Sequence, residues 1–382
     1  MVPRGMGLVP APATRGDRGQ SRGAGHGERT ARGRAPATPR TAPLGGPRGN
    51  ERDRAPRRGG PAGRRRAASG GVSTAVARRL LLRASRSAWL ASQLRHRAFL
   101  RRAVRRFLPG EDPTAALDAA AELAKSGIGA LLTELGEQVT SPAEAAAVRD
   151  RYRAALDRMR ERGLPLPAQL SVKLTHLGLD VDREACARYL HDLARRAGET
   201  GSFVWIDMEE SRYVDITLEL FRRACAAHDN VGVCLQAYLR RTPADLESLW
   251  PLRPAIRLVK GAYNEPPAVA YPRKRDVDAS FGALAAELLE RATRWEASPV
   301  FGTHDGNLIA QIAARARVRG LPRGAYEVHM LYGIRPAEQR ALAAAGVVVR
   351  VLISYGSAWF AWYMRRLAER PANVWFVLRS LV

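Results

Sequence analysis

From Gly127 onward the chain repeats one unit: a short apolar or β-branched run, a polar connection, then an Ala/Leu/Arg-rich segment of helical period. The runs predict strands over 129–133, 168–173, 203–207, 231–236, 255–260, 299–303, 325–329 and 347–352. Helical patterns lie near 141–162, 182–198, 211–228, 242–250, 278–296, 305–319, 335–345 and 357–370. Ser141-Pro142-Ala143-Glu144 sets a cap, a first-turn proline and an early acid in helix-start order, and Thr242-Pro243 and Arg335-Pro336 repeat the device with weaker caps. Strand–helix units repeated over about 250 residues predict an α/β fold, a closed parallel (βα)8 barrel of the TIM type. An open doubly wound sheet is the alternative, but it rarely needs eight units, and no G-x-G-x-x-G follows the first strand.

Ahead of this barrel, assigned to 127–382, the pattern changes twice. Residues 71–126 read as an N-terminal helical segment. Within it Leu80, Leu81, Leu82, Trp89, Leu90, Leu94, Phe99, Leu100, Val104 and Phe107 recur among arginines at near-helical spacing. Such a basic amphipathic stretch suits packing on the domain or, as a second option, contact with an anionic membrane surface. Residues 1–70 form an Arg/Gly/Pro-rich leader that cannot bury enough apolar surface to offset its ordering entropy, so it is expected to be disordered. A start assigned too far upstream, with the real one near Val72, accounts for this composition; a transit peptide is the rival, which the Pro and Gly load fits poorly. An intact mass that includes Met1 in native protein would refute the first reading.

Charge follows the same division. The net +25 looks like a nucleic-acid binder, but the leader holds sixteen arginines against four acids, and residues 71–106 add ten arginines and no acid. Only +3 is left for residues 107–382, and aromatics are not interleaved with the arginines, so no nucleic-acid partner is expected. No eighteen apolar residues run together, so no span is predicted. Cys186, Cys225 and Cys234 lack metal or redox spacing and point to a reducing compartment. A cytoplasmic protein is expected, with peripheral contact on the inner face of the membrane as the second option.

In a closed barrel the chemistry sits at the C-terminal strand ends. Strand two ends in Ser171-Val172-Lys173-Leu174-Thr175, where a lysine at an apolar end must find an anion. Strand three gives Trp205-Ile206-Asp207-Met208-Glu209, with Asp207 placed to answer Lys173, and strand four ends at Gln236. Strand five reads Arg257-Leu258-Val259-Lys260-Gly261-Ala262-Tyr263, two cations and then a Gly-Ala where backbone can approach a ligand closely. Strand six ends Thr303-His304-Asp305, and strand seven leads to His329-Met330-Leu331-Tyr332-Gly333. After strand eight, Arg365-Arg366 forms a guanidinium pair suited to a small carboxylate, with Glu369 one turn on. Each residue alone is most simply structural; polar groups at most of the eight ends, all on one edge, are harder to explain by stability. No H-E-x-x-H, Cys/His cluster, Walker loop or G-x-S-x-G is present, so neither a metal site nor those hydrolytic chemistries are expected. Few acids and many cations fit an anionic ligand and a developing negative charge, as on a reduced flavin.

Through Ser171-Val172-Lys173-Leu174, Ile206-Asp207-Met208-Glu209, Lys260-Gly261-Ala262-Tyr263, Thr303-His304-Asp305, Met330-Leu331-Tyr332-Gly333 and Arg365-Arg366, in that order, the chain resembles the monofunctional bacterial proline dehydrogenases over roughly 100–382. The resemblance implies a (βα)8 barrel with noncovalent FAD that oxidises L-proline to 1-pyrroline-5-carboxylate and passes electrons to a membrane quinone. It implies that Lys173, Arg365 and Arg366 clamp the proline carboxylate, with Glu369 holding the arginines in place. Asp207 and Arg257 match catalytic positions, Asp207 holding Lys173 and Arg257 lying where a cation stabilises reduced flavin. Met208, Gln236, Arg257, Lys260, Gly261, Ala262, Thr303 and His304 match FAD-contacting positions.

One departure bears on substrate. Relatives usually carry a tyrosine four residues before the glycine matched by Gly356, and here Leu352 stands there; Tyr355 lies on the other face of the strand. Leucine keeps apolar contact but loses the hydroxyl, so weaker discrimination or a substituted proline such as hydroxyproline is expected. His329 stands where relatives often have glutamine. A weakly active paralogue, a non-catalytic binder of proline or flavin, and a basic nucleic-acid-binding protein are the remaining alternatives. The sequence leaves the oligomeric state open.

Overall fold

The structure, a computed structural model, describes residues 104–136 and 139–359. The expectations placed on the leader, on the amphipathic stretch before Val104, and on Arg365, Arg366 and Glu369 lie outside the described residues. The first complete helix, α1 (Pro113–Ala124), starts where the Asp112 side chain accepts from the Thr114 N–H at 2.6 Å, and buries Ala116, Leu117 and Ala120. Eight strands follow: β1 (Gly129–Glu134), β2 (Gln169–Val172), β3 (Val204–Ile206), β4 (Val231–Gln236), β5 (Ala255–Val259), β6 (Ser298–Gly302), β7 (Glu327–Leu331) and β8 (Val348–Tyr355). They pair in sequence order, all parallel, and β8 closes on β1 through Leu131↔Leu352 and Thr133↔Ser354. The expected (βα)8 barrel is the fold of this chain.

Between the strands run α2 (Pro142–Arg162), α3 (Arg183–Gly198), α4 (Val214–Cys225), α5 (Thr242–Glu247), α6 (Lys274–Ala292), α7 (Gly306–Val318) and α8 (Pro336–Ala344). The α2 start forms as its sequence predicts. Ser141 Oγ accepts from the Glu144 N–H at 3.2 Å, while Glu144 reaches back to the Thr140 N–H at 2.8 Å. The two weaker caps differ. Thr242 lies inside α5 with its hydroxyl on the Gln236 carbonyl at 2.6 Å, and Arg335 precedes α8 in the left-handed region at φ 51° without a side-chain cap. The segment predicted as one helix over 211–228 divides into a 3₁₀ turn, Ser211–Tyr213, and α4, and α6 begins at Lys274 rather than 278.

Alternation along the strands makes two cores. One face supplies Leu132, Leu170, Val172, Ile206, Val233, Ile256, Leu258, Phe301 and Val351 to the layer under the helices. The other fills the barrel with Leu131, Phe203, Trp205 and Val300, against which Ala255 and Leu352 pack. Trp205 fits because Gly232, its partner on β4, has no side chain: a Cβ there would lie 2.6 Å from the indole. Leu352 is thus on the inner face, and Tyr355 belongs to the outer core, as the odd spacing between them requires.

Candidate active site at the C-terminal mouth of the barrel

Strands β2, β3 and β5 each deliver an inward polar side chain at one level. Arg257 is 4 % exposed, a burial that an unpaired guanidinium does not tolerate. Its Nη2 bonds Asp207 Oδ1 and donates to Ser171 Oγ at 2.9 Å, and the Ser171 hydroxyl also reaches Asp207 Oδ1, at 3.0 Å. The guanidinium carbon lies 5.2 Å from the centroid of the Trp205 ring, a cation–π arrangement on the floor of the mouth. Asp207 therefore answers Arg257, a partner that its sequence position did not suggest. The physical reason is register. Asp207 follows β3 directly and meets the β5 guanidinium across the mouth.

The neighbouring acid, Glu209, has a structural occupation. Its carboxylate is buried, and it accepts from the Thr175 N–H at 3.1 Å and from the Thr175 hydroxyl at 2.6 Å. Burial raises its pKa, against the pull of those bonds and of the Lys173 charge. This clasp joins the turn after β2, which carries Lys173, to the turn after β3, which carries Asp207 and Met208.

The cofactor-matched positions sit along β4, β5 and β6. Gln236 donates its side-chain amide to the Met208 carbonyl at 3.3 Å, while its carboxamide oxygen is buried without a hydrogen-bond partner. Lys260 Nζ is held by Asp278 Oδ1 at 2.6 Å and Asp305 Oδ2 at 3.0 Å. The hydrogen bond from Lys260 keeps Asp305 below the usual carboxylate range, and Lys260 and Lys274 together outweigh burial to do the same for Asp278. That ammonium thus links α6 to the cap of α7, a task its sequence position did not reveal. Thr303 Oγ1 accepts from the Asp305 N–H at 3.1 Å, and His304 Nε2 accepts from the Leu331 N–H at 3.2 Å, joining the β6 and β7 ends. Gly261 has φ 105°, and a Cβ there would stand 2.1 Å from the Tyr238 ring. The Tyr238 ring occupies the space beside this glycine. Ala262 is exposed on the same loop.

Three features are not legible as functional from the sequence motifs. Glu265, in the loop after β5, takes the Ser211 N–H and the Ser211 hydroxyl on its two oxygens, each at 2.7 Å, and ties that loop to the turn after β3. Trp205 lies in the strand-three motif, yet nothing in that motif marks it as the platform under Arg257. A Glu-x-His pair on β7 with an arginine on β8 places ionic groups inside the barrel, where Glu327 Oε2 meets Arg350 Nε at 2.9 Å. A signal for the last exists: alternation puts Glu327, His329, Arg350 and Leu352 on the same inward face. Among the described residues no group of three or more His, Cys, Asp or Glu is placed to hold a metal ion.

The sequence profile of the family described as proline dehydrogenase matches residues 116–379. The chain belongs to the proline dehydrogenase family. Proline dehydrogenase 1 of Bacillus subtilis (strain 168) is 36% identical over 278 residues, 73% of this chain and 90% of the relative. Proline dehydrogenase of Deinococcus radiodurans is 37% identical over 282 residues, covering 72% and 89%. The expected enzyme class, an oxidoreductase of the proline dehydrogenase type, stands with these matches. Proline utilization A from Bdellovibrio bacteriovorus, inactivated by N-propargylglycine, superposes with a TM-score of 0.66 at 24% identity, over 78% of this chain and 35% of that one. That likeness bears on the fold. Within the proline dehydrogenase barrel, the described residues bring Ser171, Asp207 and Arg257 into direct contact, Lys173 acts on the acid next to them, and Gln236, Lys260, Thr303 and His304 line the strand ends beside them.

Proposed function

We propose that this member of the proline dehydrogenase family oxidises L-proline to 1-pyrroline-5-carboxylate with FAD as its cofactor and passes the electrons to a membrane quinone. The observation that carries this reading is Arg257, a buried cation held at the mouth by Asp207 and Ser171. Charge developing on a reduced ring is best stabilised by a fixed cation in a water-poor site, because nothing then has to reorganise as it forms. Gln236 supports the cofactor assignment. Its buried, unpartnered oxygen is an acceptor of the kind a flavin ring N–H satisfies, at the end of the strand beside Arg257. Met208, Gln236, Arg257, Gly261, Ala262, Thr303 and His304 would hold FAD. Lys260 would act beside them through the carboxylates of Asp278 and Asp305.

Bound FAD supplies the acceptor for the hydride that leaves C5 of proline. The protein's own contribution is to hold the substrate. Lys173 with Arg365 and Arg366 would bind the carboxylate by several charge-assisted bonds, fixing the ring's pose, and Glu369 would steady the arginines. A cation-rich pocket also disfavours the ammonium form of the substrate, leaving the amine nitrogen with the lone pair that the oxidation requires. Asp207 orients the site by fixing Arg257. Electron delivery to a quinone would bring the protein to the inner face of the membrane as a cytoplasmic, peripheral partner. Among the described residues no helix is long and apolar enough to cross a bilayer.

A second reading concerns the substrate ring. Leu352 lies half-buried in the barrel interior beside Leu131 and Trp205, and offers apolar surface without a hydroxyl. A substituted proline such as hydroxyproline is the substrate it favours. The visible spectrum of FAD-loaded enzyme under anaerobic conditions tests both. Bleaching by L-proline supports the first reading, and bleaching by hydroxyproline alone supports the second. A protein that does not retain FAD refutes both. Leu352→Tyr is expected to raise the preference for proline over hydroxyproline, and unchanged selectivity would overturn the role assigned to Leu352.

A further inference from the structure

Below the mouth, the barrel interior carries a second polar chain that the proposed reaction does not use. Glu327 Oε2 accepts from Arg350 Nε at 2.9 Å and faces His329 Nε2 at 3.0 Å, with both Glu327 and His329 buried. An ionised carboxylate can only accept, so the hydrogen of His329 sits on Nε2. Its other nitrogen, Nδ1, is buried without a hydrogen-bond partner. The imidazole meets Trp205 edge-on, with ring centroids 5.5 Å apart and planes at 82°. The same indole carries the Arg257 guanidinium, 5.2 Å from the Trp205 centroid.

We propose that His329 is a positioning residue for Arg257, acting through the Trp205 indole. The inference rests on the proposed function, in which Arg257 stabilises a reduced flavin. The indole is constrained by Gln169, which takes its N–H at 2.8 Å, by Phe203 at 5.1 Å, and by the missing side chain of Gly232. A ring that meets the indole at a steep angle to its plane adds a contact that opposes tilt about the indole's own N–H bond. His329 does so, and Glu327 and Arg350 keep the imidazole from turning. A tilt of the indole would carry the guanidinium stacked on it, and a misplacement of about 1 Å is enough to change a rate about a hundredfold.

Charge supports the assignment. The ionic groups that face His329 are Glu327 on its own strand, Arg350 on β8 and Arg257 on β5, while Trp205 and Gln169 are neutral. Burial, aided by the two guanidiniums, lowers the imidazole pKa to about 4 against the pull of Glu327. The ring therefore supports Trp205 at neutral pH without placing a second cation beside Arg257.

The test uses the full chain loaded with FAD and reads the two-electron midpoint potential of the flavin by anaerobic dithionite titration. His329→Phe keeps a ring edge against Trp205 and loses the bond to Glu327, whereas His329→Ala loses both. His329→Leu keeps bulk without an aromatic edge and serves if the alanine variant does not fold. Alanine and leucine are expected to lower the equilibrium constant for flavin reduction about tenfold, a midpoint about 30 mV more negative for a two-electron couple. The kcat should fall without a matching rise in KM, and phenylalanine should hold the equilibrium constant to within about twofold of the parent. A parental midpoint in the alanine and leucine variants overturns the proposal. So does an equal shift in all three, which would place the effect in the Glu327 bond rather than the indole contact. Dithionite needs no proline, so a failure of proline to bleach the flavin would refute the proposed reaction while leaving this result readable.

Discussion

The Arg257–Asp207 pair can be tested for stability independently of any cofactor. The Arg257 side chain is 5% exposed and that of Asp207 21%, so the cation is the more deeply committed partner. Asp207→Asn keeps the shape and removes the charge. The guanidinium then retains Ser171 at 2.9 Å and the face of Trp205. Stripping one partner from a fully buried pair costs about 3–5 kcal/mol. Here the acid stands partly open to water and the indole face returns about 1 kcal/mol, so a loss of about 2–3 kcal/mol is expected. Arg257→Met leaves a carboxylate that water and Ser171 can still solvate, and should cost less, about 1–2 kcal/mol. With both changed, no uncompensated charge is left, so the double variant should be more stable than the sum of the two losses predicts by about 1.5 kcal/mol or more. Urea unfolding of the four proteins measures this coupling. Losses that add to within about 0.5 kcal/mol would show that the two side chains act independently, and Asp207 could not then be the group that holds Arg257 at the mouth.

Three further outcomes follow from the same contacts. Glu265→Ala removes both acceptors of Ser211 and should raise amide exchange across 209–213 while leaving β3 protected; unchanged exchange there would deny the clasp. Lys260→Met leaves Asp278 and Asp305 with only the exposed Lys274 ammonium between them, and should loosen the start of α7 by up to about 1 kcal/mol after allowance for partial exposure, seen as faster exchange at Asn307 and Leu308. Acid should destabilise the fold in two steps. His329 is lowered from 6.5 to about 4 and Glu327, where Arg350 and His329 outweigh burial, from 4.5 to about 2, so the unfolded chain binds more protons throughout that window. Stability is complete above about pH 6.5 and falls as pH drops toward 2, and a flat urea midpoint between about pH 7 and pH 4 would contradict the buried ionisation of this pair.

The barrel was legible because its evidence is periodic. Apolar runs at regular spacing report burial on both faces of a strand, and each of the eight predicted strands overlaps one in the structure. Boundaries slipped where tertiary contacts overrode pattern. The run to Asp207 stops being a strand at Ile206 because Asp207 turns toward Arg257, and β8 runs on to Tyr355 because it pairs with β1 along its C-terminal six residues. Partners were harder to read than positions. Nothing local tells Asp207 that a cation fifty residues on will reach it, since sequence gives the level of a side chain on its strand but not the reach across the mouth. Lys260 shows the same limit, because its carboxylates come from α6 and the cap of α7, whose packing fixes the distance.

The ionic groups inside the barrel have a physical rationale of their own. Layers of branched apolar side chains are the ordinary filling of such a core, and a buried ion pair exchanged for them is often neutral or stabilising. Glu327, His329 and Arg350 are therefore poorly explained by stability alone. The space for Arg350 is made by a glycine, since a Cβ at Gly129 would lie 2.7 Å from its Nη1. What an apolar layer lacks is direction. Methyl groups give an indole no preferred orientation, whereas a ring set at 82° to its plane does, and in this barrel the indole in question carries the guanidinium at the mouth.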